Sequence, residues 1–189
     1  MWHAGGMNAL LIPDKNEFWV LLGGQAAADR LLELAARLAL NSRLLILDCG
    51  NRANPQPLVR ALRRQTIDPL SALNRIESAR AFTCYQVTAL LEQSAAAPSD
   101  GRPVLIFDLL ASFYDESVRY AEGRRLLGRA LACIAALQRQ APVLASIKPP
   151  PEDFPERLVF VDLVCRQAGQ VLEEAVPPAP DVRQLSLFS

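Results

Sequence analysis

A chain of 189 residues, 51% of them hydrophobic, holds enough apolar material for one domain-sized core without disulfide or metal staples. Twenty basic residues balance twenty acidic ones, so no global field draws the chain onto nucleic acid and any such binding must be local. His3 is the only histidine, and Cys49, Cys84, Cys133 and Cys165 stand far apart without CxxC spacing, which excludes histidine triads and the familiar zinc patterns and leaves the cysteines as reduced core residues.

Phe18-Trp19-Val20-Leu21-Leu22 ahead of Gly23-Gly24 is a short apolar run that predicts a buried strand. From Gln25 to Leu40 the period changes. Leu31, Leu34, Ala35 and Leu38 recur at helical spacing, so the strand runs straight into a helix. Arg43 to Asp48 predicts a second strand, and Pro55 to Gln65 a second helix headed by prolines. Arg75 to Ala81 predicts a third strand, Thr83 to Ala96 a helix, and Pro98-Ser99-Asp100-Gly101 a turn. Val104 to Asp108 predicts a fourth strand, Ser117 to Gln140 a long helix, and Val143 to Ile147 a fifth strand. After a proline-rich loop, Leu158 to Cys165 and Gln170 to Glu174 predict a small C-terminal hairpin at the sheet edge. Alternating strands and helices, with strands apolar on both faces, imply an α/β fold: a doubly wound, mainly parallel sheet flanked by helices. The expected division is a domain over 1–175 and a Pro-rich tail over 176–189, opening with Val176-Pro177-Pro178-Ala179-Pro180.

The order of these pieces, with several local strings, resembles the ATPase core of the RecA/RadA strand-exchange recombinases over roughly residues 17 to 165. Leu47-Asp48-Cys49-Gly50-Asn51 leads to Pro55 and Pro57 as the family's second strand leads to its Pro-headed helix. Arg75-Ile76, Ala79-Arg80-Ala81, Tyr85-Gln86 and Leu90-Leu91 are similar to the next segment, with Tyr85 in place of a histidine. Asp108 falls where the Walker B aspartate stands, followed by Phe113-Tyr114-Asp115-Glu116. The resemblance implies a RecA-like P-loop fold.

It also implies a nucleotide site whose residues have changed. A working P-loop needs a final glycine, a lysine on the β/γ-phosphates and a hydroxyl for magnesium. Counted from Gly23, these positions hold Ala28, Asp29 and Arg30. Counted from Gly24, Arg30 takes the lysine position, but Asp29 replaces the glycine and Leu31 the hydroxyl. The family's catalytic glutamate falls near Gly50. The expectation is a vestigial Walker A (Gly23, Gly24, Asp29, Arg30), no cofactor and no catalysis, with Asp108 a Walker B-like or plain strand-end residue. Two alternatives stay open. One is a divergent ATPase using Arg30 for phosphate and Asp108 for magnesium. The other is a single-stranded DNA-binding recombination mediator.

The family's DNA-holding loops correspond to Leu109–Ser117, which carries Asp115 and Glu116, and to a triple-proline loop with Glu152, Asp153 and Glu156. Both suit a phosphate backbone poorly. Arg124, Arg125 and Arg129 on the long helix, and Arg60, Arg63 and Arg64 on the second, form either local basic patches or solvated faces.

Gln184-Leu185-Ser186-Leu187-Phe188 is similar at all five positions to the peptide by which bacterial polymerases and repair proteins dock to the β sliding clamp. Leu187 and Phe188 supply apolar anchors, Leu185 adds area, and Gln184 offers amide hydrogen bonds. The same alternation also suits an edge strand or a cover for an apolar patch. Together the two resemblances imply a non-catalytic RecA-like accessory protein in bacterial DNA repair, recombination, translesion synthesis and the SOS response. Its tail would dock on the clamp and its core on a polymerase or recombinase. No apolar run approaches a bilayer-spanning length and the N-terminus lacks the pattern of a secretory signal, so the expected location is cytoplasmic, with the nucleoid.

Overall fold

The structure is a computed structural model that describes residues 12–50 and 55–174. Six strands, β1 (Phe18–Leu22), β2 (Leu44–Asp48), β3 (Ile76–Arg80), β4 (Val104–Phe107), β5 (Val143–Ile147) and β6 (Gln170–Glu173), form one sheet in the order β3-β2-β4-β5-β1-β6. Every pairing is parallel. Six helices connect or follow them: α1 (Gly24–Ala39), α2 (Pro55–Arg63), α3 (Pro69–Leu73), α4 (Cys84–Ala96), α5 (Tyr120–Gln138) and α6 (Leu158–Gln167). The chain is a doubly wound α/β domain, and among the described residues no helix is long and apolar enough to cross a membrane.

The order dictates which face each helix covers. From β1 to β2 and on to β3 the chain moves toward one edge; from β3 through β4 and β5 to β6 it moves toward the other. Right-handed crossovers moving in opposite directions must lie on opposite faces. Accordingly α1, α2 and α3 share one apolar cluster with Leu21, Leu44, Ile46, Leu105 and Leu144. On the other face α4, α5 and α6 cover Phe18, Val20, Leu47, Val104, Ile106, Val143 and Ala145. The strict alternation along each strand is the period-two pleat of a sheet buried on both sides. α1 lies close to the sheet because its buried stripe is mostly alanine, with Ala27, Ala28, Ala35, Ala36 and Ala39 beside Leu31 and Leu38.

Local signals explain the helix starts. Thr83 caps α4 by accepting from the Gln86 N–H at 3.2 Å, while the Gln86 amide oxygen accepts from the Phe82 N–H at 2.8 Å. This variant of the capping box makes the Tyr85-Gln86 string a helix start in its own right. Asp68 caps α3 through the Ser71 N–H at 3.1 Å, with Pro69 in the first helical position. That short helix was not anticipated, nor were the single 3-10 turns at Ala111–Tyr114 and Pro155–Arg157. The long helix starts at Tyr120 and ends at Gln138, inside its expected bounds, and Asp108 lies just past its strand.

The predicted C-terminal hairpin is wrong. Leu158–Gln167 is a helix, and Gln170–Glu173 pairs parallel to β1 with no hairpin partner. Phe160, Val161 and Val164 are buried while Leu158, Val159 and Asp162 face out, a helical spacing hidden in a run of apolar, β-branched residues. Topology enforces it as well. A parallel return from β5 over β1 needs a crossover connection, and this segment supplies it.

Candidate functional site

In a parallel sheet, side chains and ligands gather at the carboxyl edge, in crevices where neighbouring strands send their connections to opposite faces. This sheet has two such places. β1 leads to α1 on one face while its neighbour β5 leads to α6 on the other; β2 and β4 diverge in the same way.

Beside the first crevice lie Gly23, Gly24, Asp29 and Arg30, the residues expected to form a vestigial Walker A, and the chain packs tightly there. Gly23 and Gly24, both with positive φ, turn β1 directly into α1, and Asp29 and Arg30 lie within the helix. Gly23 holds φ +153°, and a Cβ there would lie 2.6 Å from the carbonyl oxygen of Glu174. Its N–H donates to the Ile147 carbonyl at 3.1 Å, and the Glu174 N–H donates to the Leu22 carbonyl at 2.8 Å, so strand pairing continues past β1 on both sides. The Arg30 guanidinium meets the Glu174 carboxylate, Nε to Oε1, at 3.1 Å. Asp29 lies in the second turn of the helix, where its Oδ1 accepts from the Gln25 side chain at 2.6 Å. These residues do not fit a magnesium-bound triphosphate. The main chain of Glu174 packs against the junction on its β6 side, and the one cation in the motif is turned onto a carboxylate.

The second crevice is open. A cavity of about 360 Å³ lies at the carboxyl ends of four strands. It is lined by Cys49 and Gly50 after β2, Ala81 and Phe82 after β3, Ala111, Ser112, Tyr114 and Asp115 after β4, and Lys148 and Pro151 after β5. Asp48, which precedes Cys49, and Asp108, which packs on Gly50, are both buried. Arg80 Nε lies 3.3 Å from Asp48 Oδ2, and the Asp108 N–H donates to Ser146 Oγ at 2.9 Å. Asp108 has φ +50°, and a Cβ at Gly50 would come within 2.4 Å of the Asp108 Cβ, so no side chain fits at the expected glutamate position without displacing Asp108. Burial, then the charges of Asp48 and Asp108, raise the Cys49 thiol far above its ordinary pKa, so Cys49 stays protonated and unreactive. Phe82 and Tyr85, 59% and 53% exposed, stand on the β3 side, with the Arg80 guanidinium 5.8 Å from the Phe82 ring centre. The Ser112 hydroxyl is buried with no hydrogen-bond partner among the described residues.

This cavity was not anticipated from sequence, although Tyr85 and Phe113-Tyr114-Asp115-Glu116 mark its surroundings. Phe113 and Tyr114 turn out to be core residues, and only Asp115 and Glu116 reach solvent. The two arginine groups do not merge, because α2 and α5 lie on opposite faces of the sheet. Arg125 pairs with Glu122 at 2.7 Å and Arg129 with Glu92 at 2.5 Å, which neutralises much of the α5 group. Among the described residues no three His, Cys, Asp or Glu side chains converge as a metal-ligating group. Gln184, Leu185, Ser186, Leu187 and Phe188 lie outside the described residues. No protein-family model and no curated protein matches this chain.

Proposed function

We propose that this chain is a non-catalytic, RecA-like accessory protein of bacterial DNA repair or translesion synthesis, tethered to the β sliding clamp by Gln184–Phe188. One observation supports the non-catalytic half: the β1–α1 junction packs against Glu174, and the Glu174 carboxylate engages Arg30, the one cation a phosphate could use there. The clamp half rests on the five-residue match and on the proline-rich segment before it. Glu174, the domain's last described residue, lies at the same carboxyl edge of the sheet as the open cavity. The core then serves as a docking body for a polymerase or recombinase, in the cytoplasm at the nucleoid.

The test compares clamp binding by the intact chain and by Leu187→Ala/Phe188→Ala. Removing two apolar anchors of about 2 kcal/mol each is expected to weaken binding at least about 100-fold. Equal affinities would remove the clamp from the proposal. A titration with ATP, with and without magnesium, tests the other half. The proposal expects no magnesium-dependent saturation, and tight magnesium-dependent binding would restore the divergent ATPase that uses Arg30 and Asp108.

A further inference from the structure

The loops after β4 and β5 are tied together by a buried cation. Arg157, 4% exposed, belongs to the segment after β5, yet its guanidinium donates only to main-chain carbonyls of the segment after β4. Nη1 donates to Phe113 and, at 2.9 Å, to Asp115; Nη2 donates to Val118 at 2.8 Å. Glu156 approaches Nε at 3.8 Å, and the guanidinium stacks over the Phe154 ring of its own segment at 5.1 Å. A second, independent tie crosses the same gap: the Tyr114 hydroxyl donates to the Lys148 carbonyl at 2.8 Å.

We propose that Arg157 is a brace that makes these two loops open and close as one unit, so that the cavity they share is preformed. Arg157 Nε is buried without a hydrogen-bond partner among the described residues, so the two Nη groups carry the compensation that a guanidinium taken out of water requires. Here the acceptors at 113, 115 and 118 all lie in the other loop. Neither loop can therefore leave alone, because moving either strips a buried charge of its acceptors. Neutral carbonyls serve this purpose better than a carboxylate would. Three of them fix the position of the loop at three points, whereas one ion pair would let it pivot. The consequence is a coupled element: a partner that touches Ser112 or Asp115 on one wall also senses Lys148 and Pro151 on the other. Arg157 acts here as a positioning residue.

Hydrogen exchange on the full chain tests this, comparing the intact protein with Arg157→Met, Arg157→Lys and Tyr114→Phe. Arg157→Met is expected to accelerate exchange at least about tenfold in both 109–118 and 148–157, with amides of β4 and β5 unchanged. Arg157→Lys, which keeps the charge but lacks the fork of donors, falls between. Tyr114→Phe removes the lesser tie and gives a smaller acceleration, again in both loops. Acceleration confined to one loop, no acceleration, or an equal rise throughout the strands would overturn the proposal. If Arg157→Met does not fold, Tyr114→Phe decides by the same criterion: both loops, or one.

Discussion

Along its carboxyl edge the sheet parts twice, between β1 and β5 and between β2 and β4, and the chain treats the two crevices differently. At the first, the β1–α1 junction stays paired to Ile147 of β5, packs against the main chain of Glu174 on its β6 side and carries an internal ion pair. The second holds a cavity rimmed by an exposed aromatic side chain and walled by two braced loops. Topology creates both openings, but what the loops put into them decides whether a ligand can enter. In this molecule the place the sequence motif points to is the tightly packed one.

That contrast can be broken, most forcefully at Gly23. Gly23→Ala must either abandon φ +153° or push Glu174 away, and should cost about 2–4 kcal/mol in urea unfolding. A loss under about 1 kcal/mol would mean that the junction is not packed against Glu174. Gly50→Ala, in the lining of the open crevice, should cost about 1–3 kcal/mol, because the intruded atom is the Asp108 Cβ, which moves only with its main chain. The variant also reports on the cavity, since displacing Asp108 should perturb the amide signal of Ser146, its hydrogen-bond partner.

Arg30→Gln should cost less than about 1 kcal/mol, since the arginine side chain is half exposed and solvent screens the pair. A larger loss would make the ion pair, rather than the main-chain packing at Gly23, the seal. Phe82→Ala should alter stability by no more than about 0.5 kcal/mol, as expected of an exposed side chain on an open rim. If it costs several times that, the rim is packed more tightly than its exposure indicates. Acid titration gives the smallest effect. Hydrogen bonds from Ser71 and Ser117 hold Asp68 and Asp115 below the ordinary carboxylate range. Their folded pKa values are depressed, so their contribution is complete above the unfolded value near about 4 and is lost as pH falls through the folded values. Unfolding measured from pH 7 down should therefore show no change from these two groups until below about pH 4.

Much of the fold was legible because buried parallel strands are short apolar runs with sharp ends. Phe18–Leu22, Leu44–Asp48 and Val143–Ile147 are of this kind. β3 is different. Its outer residues Glu77, Ser78 and Arg80 are exposed, so its place in the sheet was read from its position in the order of elements and not from hydrophobicity. Leu158–Gln167 misled because β-branched residues in an apolar run satisfy strand composition, and only burial separates the two periods. Gly23-Gly24 correctly marked a tight junction. Its packing was not legible, because Glu174 is distant in the chain and joins Gly23 only through the pairing of β6 with β1. The open cavity was hidden for the same reason, assembled as it is from four separate loops.

The position of β1 between β5 and β6 has a consequence for how the chain is made. About 120 residues separate Leu22 from its first strand partner at Val143, and about 30 more must follow before Glu174 reaches Gly23. At synthesis rates of about 5–20 residues per second, the earliest strand waits roughly 10–30 seconds for its neighbours, with an apolar edge that nothing on the ribosome has yet covered. The domain closes on its first strand last, so the seal at Gly23 also marks the end of assembly.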